Sequence, residues 1–135
     1  DIKNSIIRET EIEHPTMTDM NFLYGTIFTF EPLDKKNHSR NVCVFANGEV
    51  DRSPTGTGVS ARAAVHFKRG EIKINETMTI ESILGSTFKV SVLRETNFGS
   101  LNAIIPEVEG SANIVGKNTF WIDPDDDIGK GFVLR

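Results

Sequence analysis

Hydrophobic positions along the chain predict two helices and a series of strands. Apolar residues at positions 2, 6, 7 and 12 form a weak helical stripe over 2–13, which His14-Pro15 would end. Aromatic and β-branched residues predict strands over 22–30 and 41–46, separated by a polar loop over 31–40. A second helix is predicted over 55–68, where strong helix formers run up to Gly70.

Short apolar runs after the second helix predict further strands. They lie at 78–82, 87–95, 101–109, 112–115, 119–122 and 132–134, with glycines between them. Pro106 lacks a backbone N–H, so it indicates an edge position or a bulge in its strand. The second helix is apolar on most sides, and we expect it to be buried at Val59, Ala61, Ala63, Ala64, Val65 and Phe67. The pattern predicts an α+β fold in which a sheet wraps around a central helix, as a single domain over 1–135.

Composition narrows the functional classes. The chain has 135 residues, 38% of them hydrophobic and 25% charged, as in ordinary soluble domains. Its formal net charge of -4 provides no basic patch, so nucleic acid is not expected as a partner. It has no apolar run long enough to span a bilayer and no signal-peptide pattern, and we expect a cytoplasmic protein without membrane contact.

Cysteine, histidine and aspartate spacings favour neither a disulfide nor a metal site. A single cysteine cannot form an internal disulfide, and no Cys/His spacing suggests zinc. The acidic run at 123–127 lacks the glycine and the terminal glutamate of a calcium-binding EF-hand loop. We therefore expect no metal and no cofactor.

The most informative segment is 51–64, DRSPTGTGVSARAA. A polar turn containing proline leads into two glycines and then into helix formers, so the backbone N–H groups at the helix start can face a small anion. Gly56 and Gly58 allow close approach to a ligand, and the neighbouring hydroxyls add hydrogen-bond donors. Asp51 lies just upstream, where its carboxylate can meet a cation. The pair predicts a receptor for a zwitterion, such as an amino acid.

Simpler interpretations exist for several of these residues. A Gly-Thr-Gly run before a helix is often only a turn, and Asp51 alone could cap that turn or pair with Arg52. Cys43 alternates within an apolar strand, which is typical of a buried, inert thiol. Among the histidines, we expect a structural loop residue at 14, a solvated residue at 38 and a hydrogen-bonded core residue at 66.

The segment 51–64 resembles the second-half signature of the proline racemase family, which includes proline racemase, 4-hydroxyproline epimerase and trans-3-hydroxy-L-proline dehydratase. Segments 40–50, 22–26 and 131–134 and the pair His14-Pro15 match the family as well. The resemblance implies a fold like that of diaminopimelate epimerase, in which two domains each curl a sheet around a helix and the active site lies between them. This chain would be the second domain, and its partner would be a first half that carries the catalytic cysteine.

The resemblance also implies roles for individual residues. Each half of a racemase supplies one base, usually a cysteine, but the matching catalytic position here is Thr55. A threonine hydroxyl is a far weaker acid than a thiol, whose reference pKa is about 8.5. Asp51 matches the acid that contacts the substrate's ring nitrogen, the Gly56 and Thr57 amides match the carboxylate-binding pair, and Phe45 matches an aromatic that packs on the ring.

Three functions follow from this comparison. Threonine at position 55 favours half of a trans-3-hydroxy-L-proline dehydratase, a lyase that acts on a small hydroxyproline-like substrate. The alternatives are half of a proline racemase or 4-hydroxyproline epimerase, and an amino-acid-binding domain without catalysis. In each case we expect the chain alone to be catalytically silent. A homodimer is one assembly that the sequence allows, although it does not fix the oligomeric state.

Overall fold

A mixed sheet of six strands is the main feature of the fold. A computed structural model describes residues 2–129 and 131. The elements in chain order are α1 (Ile2–Glu9), a 3-10 turn (Thr18–Met20), β1 (Gly25–Phe30), β2 (Ser39–Phe45), β3 (Glu49–Val50), α2 (Gly56–Lys68), β4 (Thr77–Glu81), β5 (Thr87–Phe98) and β6 (Leu101–Glu109). The strands are arranged in the order β1-β2-β4-β5-β6, and β3 pairs with β2.

Helix α2 lies in the chain between β2 and β4, which pair with each other in parallel. β1 and β2 form an antiparallel hairpin in which Gly25 lies opposite Phe45. At its other edge, β2 pairs with β4 in parallel at Ser39 and Arg40, and with the short antiparallel β3 at Val44 and Phe45. Strands β4, β5 and β6 continue the sheet as antiparallel neighbours. The segment between β2 and α2 therefore starts with β3 at the edge of β2 that faces away from β1.

The core lies between α2 and the second half of the sheet. Val59 and Ala63 of the helix are fully buried at 0% exposure. They form one cluster with Ile72, Met78, Ile80, Val90 and Val92, against which Phe67, Phe88 and Ile104 pack. This side of the helix matches the predicted burial because its apolar residues meet strands β4, β5 and β6.

The expectation of a helix buried on most sides is wrong in detail. Ala61 is exposed, Val65 is 46% exposed, and Ala64 and Phe67 are half-buried. The described sheet covers one face of α2, so the apolar residues on the other face have no strand against them. Apolar composition alone did not identify which face would be covered.

The predicted strands had mixed outcomes. The strand at 101–109 is confirmed at both ends, and those at 22–30, 41–46, 78–82 and 87–95 are confirmed with a shift at one or both ends. Those at 112–115 and 119–122 are wrong, because this stretch forms no strand and has no sheet partners among the described residues. The strand expected at 132–134 lies outside the described residues. Pro106 is confirmed on an edge strand, and it lies opposite the bulge between Val92 and Arg94.

The helices also differ from the sequence pattern at their ends. α1 ends at Glu9, several residues before His14-Pro15, although the apolar stripe extends to Ile12. α2 ends at Lys68 and is followed by Gly70 with a positive φ of 73°, as predicted. Neither helix in the described part of the chain is long and apolar enough to cross a membrane.

Candidate active site

A network of short hydrogen bonds holds the turn that leads into α2. The Asp51 carboxylate accepts from the Ser53 backbone N–H at 2.8 Å and from the Thr55 hydroxyl at 2.9 Å. The Ser53 hydroxyl accepts from the Thr55 backbone N–H at 3.0 Å. Asp51 therefore does cap its own turn, and Thr55 is fixed at both its backbone and its side chain.

Thr55 directs the start of the helix. It adopts φ 70° and ψ 99°, a left-handed conformation that is uncommon for a β-branched residue and needs support from its surroundings. Its carbonyl accepts from the Val59 N–H at 2.8 Å, which closes the first helical turn. The N–H groups of Gly56, Thr57 and Gly58 have no acceptor among the described residues. These donors are available to an anion at the helix N-terminus.

A cavity of about 470 Å³ lies beside this turn. The five residues predicted from the sequence all line it: Phe45, Asp51, Thr55, Gly56 and Thr57. The remaining lining residues are Leu23, Tyr24, Gly25, Ile27, Cys43 and Gly58. The β1–β2 hairpin thus forms an apolar wall opposite the polar turn, which is an arrangement suited to a small ligand with an apolar ring and charged substituents.

The two glycines of the turn serve different purposes. A side-chain carbon added at Gly56 would meet no atom within 4 Å, so the packing of this chain does not require glycine there. A carbon added at Gly58 would overlap the Cδ1 atom of Ile27. Gly58 therefore allows α2 to pack closely on β1, and close approach to a ligand is left to Gly56.

The Asp51 carboxylate is electrostatically prepared to stay charged. Burial alone would raise its pKa, but hydrogen bonds from the Ser53 N–H and the Thr55 hydroxyl, with the charge of Arg52, outweigh burial. The pKa of Asp51 consequently lies below its usual value of 3.8. An ionised carboxylate on the cavity wall can receive a cationic group.

Sequence analysis missed the contribution of β1 to the cavity. Tyr24 packs against Phe45 with ring centroids 5.6 Å apart, and Leu23, Gly25 and Ile27 complete that wall. Only the hairpin register brings these residues to the turn, although the aromatic strand itself was recognisable. Cys43 is buried, as predicted, at 6% exposure, and it also lines the cavity.

The histidines lie away from the cavity. His14 accepts hydrogen bonds from the Thr16 and Met17 N–H groups, as expected of a structural loop residue. His38 is exposed, and its ring packs edge-on against His66. His66 is hydrogen-bonded to Glu71 and Arg62, as predicted, but it is only half-buried. No cluster of three potential metal ligands occurs among residues 2–129 and 131.

Comparison with known proteins places this turn and cavity in a family. The family model described as proline racemase matches residues 1–133. The chain belongs to the proline racemase family. The observed sheet and helix agree with the expected α+β fold, since solved members of the family have the diaminopimelate epimerase-like fold.

Curated relatives carry more than one activity name. The chain is 49% identical over 134 residues to a trans-3-hydroxy-L-proline dehydratase from Colwellia psychrerythraea, covering 99% of the chain and 38% of the relative. It is 43% identical over 135 residues to a 3-hydroxyproline 2-epimerase from Burkholderia multivorans, covering 100% of the chain and 40% of the relative. The chain thus spans about two fifths of the length of the relatives that it matches.

A solved structure supports the fold directly. The chain matches a hydroxyproline epimerase from Agrobacterium vitis with bound trans-4-hydroxy-L-proline at a TM-score of 0.80 and 32% identity. The match covers 98% of the chain and 38% of the epimerase. Proteins of this family therefore include members that bind a hydroxylated proline.

Proposed function

We propose that this chain is the second domain of a cofactor-independent trans-3-hydroxy-L-proline dehydratase. The reaction removes water from the substrate and gives Δ1-pyrroline-2-carboxylate. The observation that carries the proposal is Thr55, which lines the cavity at the position that the family resemblance assigns to a second catalytic cysteine. Racemisation needs a proton donor and acceptor on each ring face, whereas this elimination needs them on one face only.

Substrate stereochemistry explains why one thiol suffices. In trans-3-hydroxy-L-proline the 3-hydroxyl and the carboxylate lie on opposite ring faces, so the α-hydrogen shares a face with the hydroxyl. A thiolate on that face removes the α-proton, the Cα–Cβ double bond forms, and the C–O bond breaks as the thiol returns its proton to the leaving hydroxyl. The enamine then tautomerises to Δ1-pyrroline-2-carboxylate. We place the thiol on a further domain of the protein.

The residues of this chain bind and polarise the substrate in our proposal. Asp51 receives the ring ammonium, and that ammonium makes the α-hydrogen more acidic. The Gly56 and Thr57 N–H groups receive the carboxylate, and they stabilise the enolate-like charge that develops as the α-proton leaves. Comparable oxyanion donors contribute about 3 kcal/mol each. Phe45 packs against the ring.

Thr55 has a supporting role in this scheme. Its hydroxyl proton is already donated to Asp51, with 2.9 Å between the oxygens, so the hydroxyl oxygen can offer a ligand only its lone pairs. No histidine or lysine lines the cavity within the described residues, and Asp51, whose pKa is lowered, is far too weak a base to take the proton from the hydroxyl. Thr55 therefore closes the second ring face without exchanging protons there.

The test uses the full-length protein in deuterated water. Incubation with trans-3-hydroxy-L-proline is expected to give Δ1-pyrroline-2-carboxylate, and incubation with L-proline is expected to give no D-proline and no deuterium at Cα. The 135-residue chain alone serves as a control and is expected to be inactive with both. Release of D-proline would contradict the one-base assignment.

The 43% identity to a 3-hydroxyproline 2-epimerase favours a second candidate function. In an epimerase, Thr55 or a water held by it would deliver a proton to the second face. Recovered trans-3-hydroxy-L-proline and its epimer would then carry deuterium at Cα without loss of water. Tight binding without any turnover would instead favour an amino-acid-binding domain.

A further inference from the structure

A chain of polar contacts through buried Asn41 connects the middle of α2 to the turn that carries Thr55. Asn41 on β2 is 1% exposed, and its side-chain amide donates to the Pro54 carbonyl at 3.0 Å. Its Oδ1 accepts from Arg62 Nη1 at 2.8 Å. Both ends of the Asn41 amide are therefore engaged, and its orientation is fixed because only the NH₂ group can donate to a carbonyl.

Arg62 holds this asparagine from the helix. The same Nη1 atom also donates to the Ser39 hydroxyl at 2.7 Å, and Nη2 lies 3.3 Å from His66 Nε2. Since a guanidinium can only donate, His66 Nε2 accepts and Nδ1 carries the hydrogen that is donated to Glu71. Burial lowers the pKa of Arg62 from its usual value, which is consistent with a guanidinium enclosed by its partners. Arg62 is thus held in one position.

The point of attachment matters for the site. The Pro54 carbonyl belongs to the peptide that joins Pro54 to Thr55, and Pro54 is fully buried. Thr55 has a positive φ, which persists only where its surroundings enforce it. The Asp51 and Ser53 contacts hold Thr55 from one side, and Asn41 holds the preceding peptide from the other. Neither Asn41 nor Arg62 lines the cavity.

We propose that Asn41 and Arg62 are positioning residues for the Thr55–Gly56 turn. Arg62 orients Asn41, Asn41 fixes the Pro54–Thr55 peptide, and this peptide aims the Thr55 side chain and the Gly56 N–H into the cavity. The pair acts on the ligand only through the turn. Its effect on turnover rests on the proposed function, whereas its effect on the turn does not.

The test compares conservative variants by amide NMR and by substrate affinity, using the full-length chain. Asn41→Asp keeps the shape of the side chain and its contact with Arg62, but it places a carboxylate oxygen against the Pro54 carbonyl. Arg62→Lys keeps the charge but loses the planar guanidinium, which contacts Asn41 through Nη1 and His66 through Nη2. Asn102→Asp and Arg69→Ala are matched controls, since both residues are exposed.

The expected result is local. In Asn41→Asp and Arg62→Lys, the backbone amide signals of Thr55 and Gly56 shift, while those of Val92 and Ile104 stay in place. Affinity for trans-3-hydroxy-L-proline falls about tenfold, the effect of losing one buried hydrogen bond. A further variant, Arg62→Ala, loses affinity as well, and millimolar guanidinium partly restores it. The two controls have the affinity of the wild type.

Unchanged Thr55 and Gly56 signals in folded Asn41→Asp would overturn the proposal. A measurement on the wild type guards against variants that do not fold: a scalar coupling across the hydrogen bond is expected between Asn41 Nδ2 and the Pro54 carbonyl carbon. Its absence, with rapid solvent exchange of the Asn41 amide hydrogens, would also overturn the proposal. A wild type that does not dehydrate the substrate but has these signals would reject only the proposed function.

Discussion

The Thr55 hydroxyl donates to the Asp51 carboxylate, with 2.9 Å between Oγ1 and Oδ2. The two residues that the family resemblance assigns to different parts of the substrate are therefore joined directly. The bond orients Thr55 and helps keep Asp51 ionised. A thiol at position 55 would be a weaker donor, so threonine supports the ionised Asp51 carboxylate, which the proposed function assigns to the ring ammonium, without adding a titrating group to the cavity.

Substitution of Thr55 separates its binding role from a role in proton transfer. We expect Thr55→Ala to retain dehydratase activity with a loss of about three- to tenfold, because one hydrogen bond to Asp51 is lost. Thr55→Cys introduces a second thiol and is expected to add deuterium exchange at Cα of L-proline. The measurements are product formation and mass spectrometry in deuterated water.

Thr18→Ala is the control for this series, because it removes an exposed threonine hydroxyl that does not line the cavity. We expect it to behave like the wild type. A loss of activity in Thr55→Ala as large as that caused by removing the catalytic thiol would mean that Thr55 carries a proton in the reaction.

Alanine at the two glycines of the turn is expected to have opposite effects. Gly56→Ala meets no atom and should stabilise the fold by about 0.4–1 kcal/mol, because the unfolded chain loses freedom. It should also lower substrate affinity, since the added methyl group stands beside the N–H that receives the carboxylate. Gly58→Ala forces Ile27 to move and should destabilise the fold by about 1–3 kcal/mol.

Thermal unfolding and calorimetric titration distinguish the two glycine variants. Gly58→Ala combined with Ile27→Val should recover part of the lost stability, because the shorter side chain leaves room for the methyl group. Equal losses of stability in both single variants would argue against the separate purposes assigned to these glycines.

The lowered pKa of Asp51 predicts how binding depends on pH. A carboxyl group with a depressed pKa stays charged throughout the range above its usual value, so affinity for the ring ammonium should be constant there. Affinity should fall only as the pH falls through the lowered pKa, below 3.8. Asp51→Asn should bind weakly at every pH, and Asp19→Asn in the exposed 3-10 turn is the control. Titration calorimetry from pH 3 to 7, in steps on the order of one pH unit, measures the affinity of each variant. A fall in affinity that begins well above about pH 4 would count against the assignment of Asp51.

Glu81 predicts a pH dependence of stability. Hydrogen bonds from the Asn37 side chain and from the Leu33 and Asp34 N–H groups lower the pKa of Glu81, although burial opposes them. Its stabilising effect should therefore be complete above the usual pKa of 4.5 and should disappear as the pH falls through the lowered pKa. This carboxylate anchors the loop between β1 and β2.

Glu81→Gln should accordingly be less stable than the wild type at neutral pH, and the difference should shrink in acid. Chemical denaturation at several pH values measures both effects. Glu109→Gln, in an exposed pair with Lys89, is the control and should change little. A difference that stays constant as the pH falls well below 4.5 would place the effect of Glu81 in packing, since a charge-dependent difference must begin to shrink below that value.

Local sequence patterns were sufficient for the polar half of the site and for most strands. Asp51, Thr55, Gly56 and Thr57 lie within one turn, so their proximity follows from the chain itself. The apolar wall depends on the β1–β2 register, which places Gly25 opposite Phe45, and no local signal contains that pairing. The hydrogen bond between Asn41 and Pro54 is hidden from sequence analysis for the same reason.

The predictions from sequence were wrong where a residue pattern indicates the local backbone but not the strand or helix that would pack against it. The runs at 112–115 and 119–122 have strand composition, yet Ile114 is 98% exposed and Trp121 is 91% exposed. An alternating or β-branched pattern indicates extended backbone, whereas a strand also needs a neighbour to accept and donate hydrogen bonds. The same reason explains α2, whose apolar face at Val65 has no cover in the described part of the chain.

The cavity and the core occupy successive, non-overlapping parts of the chain. Every residue that lines the cavity falls between Leu23 and Gly58, and every residue of the buried core cluster falls between Val59 and Val92. The wall of this cavity can therefore vary within one continuous segment while the residues of the buried core cluster stay constant. For protein engineering, exchanging residues 23–58 between family members would exchange this cavity wall as one unit, with Gly58 and Ile27 transferred together because they pack against each other.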